Sequence, residues 1–169
     1  LLLFYCAFTN ANIVDAPSAQ FRVQKSSMAL HSFAVELQDY LCAGHFNKLV
    51  ASINQKRFSA KQFAVVLHYA PDLAHNKTES TVAQLLVEDV SKRIISQLPE
   101  QLKTYSQWTF VHDRTYKNQH YLLYRLENDA DKFLYYEFSV EKIASRWQIV
   151  ERRGPSYSYD SFVDIRQDL

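Results

Sequence analysis

Glycine is the residue this sequence most clearly lacks, since Gly44 and Gly154 are the only two in 169 residues. Phosphate-binding loops, dinucleotide-binding fingerprints and the nucleophile elbow of hydrolases each need at least two closely spaced glycines, so all three are excluded. Cysteine is equally scarce, with Cys6 and Cys42 alone, and two thiolates cannot complete a thiolate zinc site. No two histidines lie four residues apart, and we expect neither a metal nor another cofactor.

The chain also lacks an excess of charge of either sign. Lys and Arg total 19 against 18 Asp and Glu, which leaves a net charge of +1. A nucleic-acid-binding domain carries a basic surface, so we expect no nucleic-acid partner. The length and the 47% of apolar residues are typical of a single globular domain with a sizeable core.

The N-terminal apolar run covers residues 1–8 and is too short for a membrane span, which needs about 20 residues. Thr9 and Ala11 then place small residues where a signal peptidase reads them. We therefore interpret residues 1–11 as a secretory signal peptide truncated at its start, residues 12–25 as a linker and residues 26–169 as one domain. A buried N-terminal strand is the alternative. After cleavage Cys42 would be the remaining cysteine, expected as a buried inert thiol, with a disulfide to a second copy as the alternative. No membrane insertion is expected.

Helical periodicity dominates the first part of the domain. Apolar residues from Leu30 to Leu41 recur at helical spacing, and a second short helix follows Gly44. Capping-box patterns that begin at Ser59 and Thr81 predict the starts of two further helices. The last helix has an apolar stripe at intervals of four, which we expect to face the core and which comprises Val82, Leu86, Val90, Ile94, Leu98 and Leu102.

After Tyr105 the apolar period changes from 3.6 to two, which predicts strands at residues 107–114, 120–127, 133–141 and 146–152. The breaks between them are short and imply antiparallel hairpins. Helices followed by an antiparallel meander predict an α+β fold. We expect N-terminal helices packed on a curved sheet of about four strands, cone-shaped, with a pocket between the two layers.

Three strand segments carry a family resemblance, namely residues 121–126 (YLLYRL), 135–138 (YYEF) and 146–151 (RWQIVE). With the aromatic-rich tail at residues 157–160, they resemble a bacterial branch of the nuclear transport factor 2-like superfamily, the fold of ketosteroid isomerase-type enzymes. Glu151 stands where this branch more usually has Asp, and the turn at Ala144 and Ser145 lacks Gly. Because the resemblance points to a bacterium, the predicted signal peptide implies a periplasmic or secreted protein. The resemblance also implies a pocket between the curved sheet and the helices and a homodimer formed through the sheet.

In enzymes of this superfamily the pocket typically holds one carboxylate or a Tyr/Asp pair. Glu137 is the best candidate for the carboxylate because it is the only charged residue within 133–140. Its facing depends on the hairpin register. If Glu127 pairs with Phe133, then Arg125 and Glu137 share a face; if Glu127 pairs with Lys132, they do not. The structural alternative is that Glu137 faces solvent.

Two neighbouring residues of the first predicted strand, His112 and Asp113, are further candidates for a catalytic role. Adjacent strand residues point to opposite faces, so His112 and Asp113 cannot act side by side. Trp108 and Phe110 share the alternation of His112, which favours an inward His112. Asp113 would serve as a general base only if its own face lined the pocket.

Arg125 lies in a largely apolar strand and could hold a carboxylate or phosphate with its two-pronged donor set. The structural alternative is an ion pair with Glu137 or Glu151. The full set of residues that we expect to bind a ligand is Tyr121, Arg125, Tyr136, Phe138 and Trp147.

Two functions from different classes remain at this point. The preferred hypothesis is a non-enzymatic exported module that binds a small apolar ligand or a protein partner, since no strong catalytic motif is present. The alternative is an isomerase, dehydratase or cyclase. In that enzyme Glu137 or Asp113 would move a proton while Tyr136 or Tyr121 donates to a developing oxyanion.

Overall fold

The computed structural model describes residues 27–105, 107–116, 119–127 and 133–156. The predicted signal peptide, the predicted linker and the aromatic-rich tail lie outside them. The elements in chain order are α1 (Met28–Cys42), α2 (Phe46–Ala51), α3 (Gln55–Tyr69), a 3₁₀ turn (Pro71–Ala74), α4 (Lys77–Leu102), β1 (Gln107–Tyr116), β2 (Gln119–Glu127), β3 (Phe133–Ile143) and β4 (Arg146–Ser156). The strands form one antiparallel sheet in the order β1-β2-β3-β4, which confirms the predicted α+β class.

Asparagine side chains begin the two longer helices of the middle region. Asn54 caps α3 by accepting a hydrogen bond from the backbone N–H of Arg57 at 2.9 Å, and Asn76 caps α4 in the same way. Ser59 and Thr81 lie one turn inside these helices and donate to the carbonyls four residues earlier. The starts predicted from their capping boxes are therefore wrong, because an Asn one turn upstream already caps each helix.

The core lies between the helices and one face of the sheet, which we call the inner face. The hydroxyl of Tyr124 on this face donates to the backbone carbonyl of Ala34 in α1 at 2.9 Å. This bond ties the central strand to the first helix at a fully buried position. The buried cluster comprises Leu30, Ala34, Leu37, Leu41, Phe46, Leu49, Leu98, Leu102, Trp108, Leu122, Tyr124, Leu126, Leu134, Tyr136, Phe138, Val140 and Ile149.

The opposite sheet face, which we call the outer face, is defined by the β2–β3 register. Glu127 pairs with Phe133, so the first of the two registers is confirmed. Arg125, Tyr135 and Glu137 therefore share the outer face, because side chains alternate along each strand.

A β-bulge in β1 changes the facing of its second half. The register shifts by one residue between Phe110 and His112, so His112 pairs with Leu123 on the outer face. Trp108 and Phe110 remain on the inner-face side, opposite Leu126 and Tyr124. The prediction that His112 lies inward is wrong, since strict alternation holds only in a strand without an extra residue.

Cys42 at the end of α1 is half-buried and disulfide-bonded. The prediction of a free inert thiol at this position is therefore wrong. The other cysteine of the chain, Cys6, lies outside the described residues.

Candidate functional site

The structure divides the predicted site residues between two faces of the sheet. Tyr136 and Phe138 lie in the inner-face core, Trp147 packs against that core, and Asp113 pairs with core residue Leu122. The outer face carries Glu137, His112, Tyr121 and Arg125. The predicted residues therefore do not converge on one pocket.

Glu137 is the centre of an ion cluster on the outer face. Its carboxylate is almost fully buried, with 1% of the side chain exposed. Arg114 Nη2 lies 2.7 Å from Oε2, and Arg153 Nη1 lies 3.8 Å from Oε1. Arg153 stands directly opposite Glu137 in the β3–β4 pairing, while Arg114 reaches across from β1. We call these three residues the Glu137 cluster.

In the described structure, Glu137 is held by ion pairs with two arginines. A general base must reach the proton that it removes, whereas both oxygens of Glu137 face guanidinium groups. The side chain of Tyr121 covers one side of the cluster, with its ring centroid 5.5 Å from the guanidinium carbon of Arg114.

The proposed pairing of Glu137 with a Tyr136 oxyanion donor does not occur. The two residues are strand neighbours and point to opposite faces of the sheet. The hydroxyl of Tyr136 accepts a hydrogen bond from Arg152 at 2.9 Å, and its ring packs on Trp108 and Phe138. Burial raises the pKa of Tyr136, against a smaller lowering by Arg152.

Arg125 lies apart from the Glu137 cluster. Its guanidinium carbon stands 4.5 Å from the ring centroid of Phe133, and Nη2 is 3.6 Å from Glu127 Oε1. The ion pair expected with Glu137 or Glu151 is not made; Glu151 instead accepts from the Ser139 hydroxyl at 3.1 Å.

His112 is half-buried next to the cluster, and its pKa is lowered, first by burial and then by the positive charge of Arg114. The folded protein therefore favours the neutral ring. Stability from this residue is full above the unfolded pKa of about 6.5 and is lost as pH falls toward the folded pKa. We expect acidification from pH 7 to pH 5 to destabilise the wild type more than His112→Gln, measured by urea unfolding. Parallel pH profiles would show that His112 makes no such contribution.

Two open depressions among the described residues lie away from both groups of predicted residues, except that one of them borders Trp147. One, of about 490 Å³, is lined by residues 44–48 at the start of α2, by Pro99 and Glu100 of α4, and by Lys103 just after α4. The other, of about 540 Å³, lies between α1 and the start of β4, beside Trp147. Neither is lined by Tyr136 or Phe138, because those aromatic side chains fill the space between the inner face and the helices.

The surface that was not predicted from the sequence is a helical arm. We define it as residues 60–90, which belong to α3, the 3₁₀ turn and α4. None of its residues is buried. Three residues of the predicted core stripe are exposed, Val82 by 53%, Leu86 by 62% and Val90 by 52%, and Leu85 beside them is exposed by 60%. Their prediction as core residues is wrong, whereas Leu98 and Leu102 at the other end of α4 are buried as expected. We call these four exposed residues the α4 stripe.

The described residues include no group of three or more His, Cys, Asp or Glu side chains that could hold a metal ion. No helix among them is long and apolar enough to cross a membrane. Comparison with known proteins finds no matching family model, no curated protein of similar sequence and no solved structure of similar fold. The resemblance to the nuclear transport factor 2-like superfamily therefore stays a prediction.

Proposed function

We propose that this chain is a non-enzymatic binding module that recognises a protein through the α4 stripe. The exposure of four adjacent large apolar side chains on one helix is the observation that carries the proposal. Monomeric soluble proteins rarely leave a contiguous apolar patch of more than a few hundred Å² open to water, and such patches mark interaction sites. The arm is made of parts of two helices, yet none of its residues is buried. Packing of the core therefore does not explain why the arm is present.

The chemistry of the sheet supports binding over catalysis. The best carboxylate candidate is held between Arg114 and Arg153, and the best tyrosine candidate packs on the other face. On the inner face, the described side chains of Trp108, Tyr124, Tyr136 and Phe138 are packed into the core, which disfavours a small-ligand pocket there. We therefore assign recognition to the exterior of the molecule.

The charge of the arm favours a protein partner over a lipid surface. Residues 60–90 contain two lysines and four carboxylates, which gives a net charge of −2; these residues are Lys61, Lys77, Asp72, Glu79, Glu88 and Asp89. Helices that lie on anionic membranes are instead rich in Lys and Arg on the polar face. An acidic arm would be repelled by such a surface.

Cys42 is disulfide-bonded, which favours an oxidising compartment over a reducing cytoplasm. Cys6 is the only other cysteine of the chain, so a bond within one chain would require residues 1–11 to be retained and not cleaved as a signal peptide. Disulfides persist in secreted and periplasmic proteins and are rare where thiols are kept reduced. We therefore retain export to the periplasm or beyond as part of the proposal.

Paired purification in the organism that carries the gene tests this function. The wild type, Leu86→Lys and the matched control Gln84→Lys would each be expressed with an affinity tag beside a second copy with a different tag. Both variants add one positive charge at an exposed position of α4, but Gln84 points about 160° away from Leu86. We expect the wild type and Gln84→Lys to retain the same bound protein, and Leu86→Lys to lose about tenfold or more of it.

Unchanged helicity and unfolding midpoints in both variants would show that the arm still folds, as expected for exposed sites. Equal recovery of every bound protein by Leu86→Lys and the wild type would overturn the proposed function. Binding of the wild type to anionic vesicles, lost in Leu86→Lys, would replace the protein partner with a membrane.

A further inference from the structure

We propose that the partner is a second copy of this chain, and that two arms pair through α4 in antiparallel orientation about a twofold axis at Leu86. This inference rests on the proposed function and names the occupant of the α4 stripe. In a twofold interface the same patch serves both copies, so the patch must complement itself. The sequence of α4 meets that condition in charge as well as in apolar surface.

The residues that would meet lie on one narrow strip of the helix. At 100° per residue, Val82, Leu86 and Val90 fall within about 80° of arc. Glu79 and Arg93, each seven residues from Leu86, fall about 20° to either side of it. All five side chains are exposed. Along the helix, this strip therefore presents an acidic residue, then three apolar residues, and then a basic residue.

Antiparallel pairing centred on Leu86 places complementary side chains of the two copies opposite each other. Val82 of one copy then lies opposite Val90 of the other, and Glu79 lies opposite Arg93. A parallel pairing would instead oppose Glu79 to Glu79 and Arg93 to Arg93, which is unfavourable. The charges thus select both the partner and its direction, which is how electrostatic complementarity confers specificity.

The weakness of the ion pair between Arg93 and Asp89 allows Arg93 to pair with Glu79 of the other copy instead. Arg93 is already paired with Asp89 at 2.6 Å, but the two side chains are 73% and 55% exposed. Such a pair contributes little to stability, so Arg93 is available to a nearby Glu79 of the other copy. Apolar rows at four-residue spacing interdigitate well when two helices cross, so the α4 stripe has the spacing that helix packing requires.

The outer sheet face is a poorer dimer surface than the arm. A homodimer through the sheet was expected from the superfamily resemblance, and an apolar outer face would favour it. Beside the apolar Tyr121, Leu123 and Phe133, this face carries the charged residues Arg114, Arg125, Glu151 and Arg153 and the buried Glu137. Interface cores are depleted of charged residues, so the arm is the better candidate.

Light scattering coupled to size exclusion, over a micromolar concentration series of the full chain, tests the inference. We expect the wild type and Gln84→Lys to reach twice 19.8 kDa, and Leu86→Lys to remain at 19.8 kDa. Glu79→Arg and Arg93→Glu are each expected to weaken the dimer about threefold or more, and the double swap is expected to restore it. Restoration of the dimer by the double swap depends on the antiparallel register. If the single swaps weakened the dimer only by destabilising the fold, combining them would not restore it.

A cysteine trap adds a second readout. Leu86→Cys would meet itself at the twofold axis and form an interchain disulfide on mild oxidation, whereas Gln84→Cys would not. A wild type that is monomeric throughout the series, with arm-dependent capture of a different protein, would overturn the second-copy inference and leave the proposed function standing. A dimer that Leu86→Lys does not weaken would likewise overturn it. Absence of any arm-dependent capture would instead remove the proposed function.

Discussion

Glu137→Ala is expected to lower the free energy of unfolding by about 3–5 kcal/mol, because it breaks two ion pairs that share an almost fully buried carboxylate. Arg114 and Arg153 are only 23% and 21% exposed, so water replaces the lost carboxylate poorly. Glu137→Gln is expected to destabilise as well, since an amide keeps the shape but not the charge. Urea unfolding monitored by tryptophan fluorescence measures both effects.

Glu127→Ala is the matched control for Glu137→Ala. Glu127 also pairs with an arginine on the sheet, but its side chain is 39% exposed. Its removal should cost less than about 1 kcal/mol, as is usual for exposed ion pairs. Equal stability of Glu137→Ala and the wild type would contradict a structural role for Glu137. Glu137 would then again be a candidate catalytic residue.

Trp108→Ala is the second change for which we expect a large effect, a loss of about 3–5 kcal/mol. Trp108 is 2% exposed and packs edge-on against Tyr105 and Tyr136, with centroid distances of 6.0 and 5.8 Å. Its removal leaves a cavity between the layers at a site that the Trp108 ring fills in the wild type. Trp147→Ala, at a half-buried site, should cost clearly less.

The Trp108 cavity also provides a test of the filled interior. An engineered apolar cavity can bind a small aromatic molecule that the intact core excludes. We expect indole to raise the melting temperature of Trp108→Ala and to leave that of the wild type unchanged. A rise in the wild type would show an accessible pocket beneath the sheet and would favour the small-ligand hypothesis.

The order of elements could be predicted from the sequence, because periodicity depends on local pattern. The change of period after Tyr105 placed all four strands within a few residues of their observed bounds. The facing of His112 could not be predicted, because the bulge at Val111 leaves no mark in the alternation of apolar residues. Likewise, the partners of Glu137 depend on how β1 and β4 pair across the sheet.

The α4 stripe illustrates a second limit of sequence reasoning. Helical spacing identifies an apolar face but not the surface that covers it, so the exposed Val82 and the buried Leu98 look alike in the sequence. One signal was available: Glu79 and Arg93 lie on the same strip as Leu86. Charged residues in line with an apolar stripe are more typical of an interface between helices at the surface than of a buried core face.

Site-specific photocrosslinking in living cells tests the central claim most directly. A benzophenone amino acid would replace Leu86 in one strain and Gln84 in another. We expect a covalent adduct from position 86 alone, and a mass twice that of the chain would identify the partner as a second copy. The absence of an adduct from position 86, or equal adducts from both positions, would contradict the assignment of the α4 stripe as the binding surface.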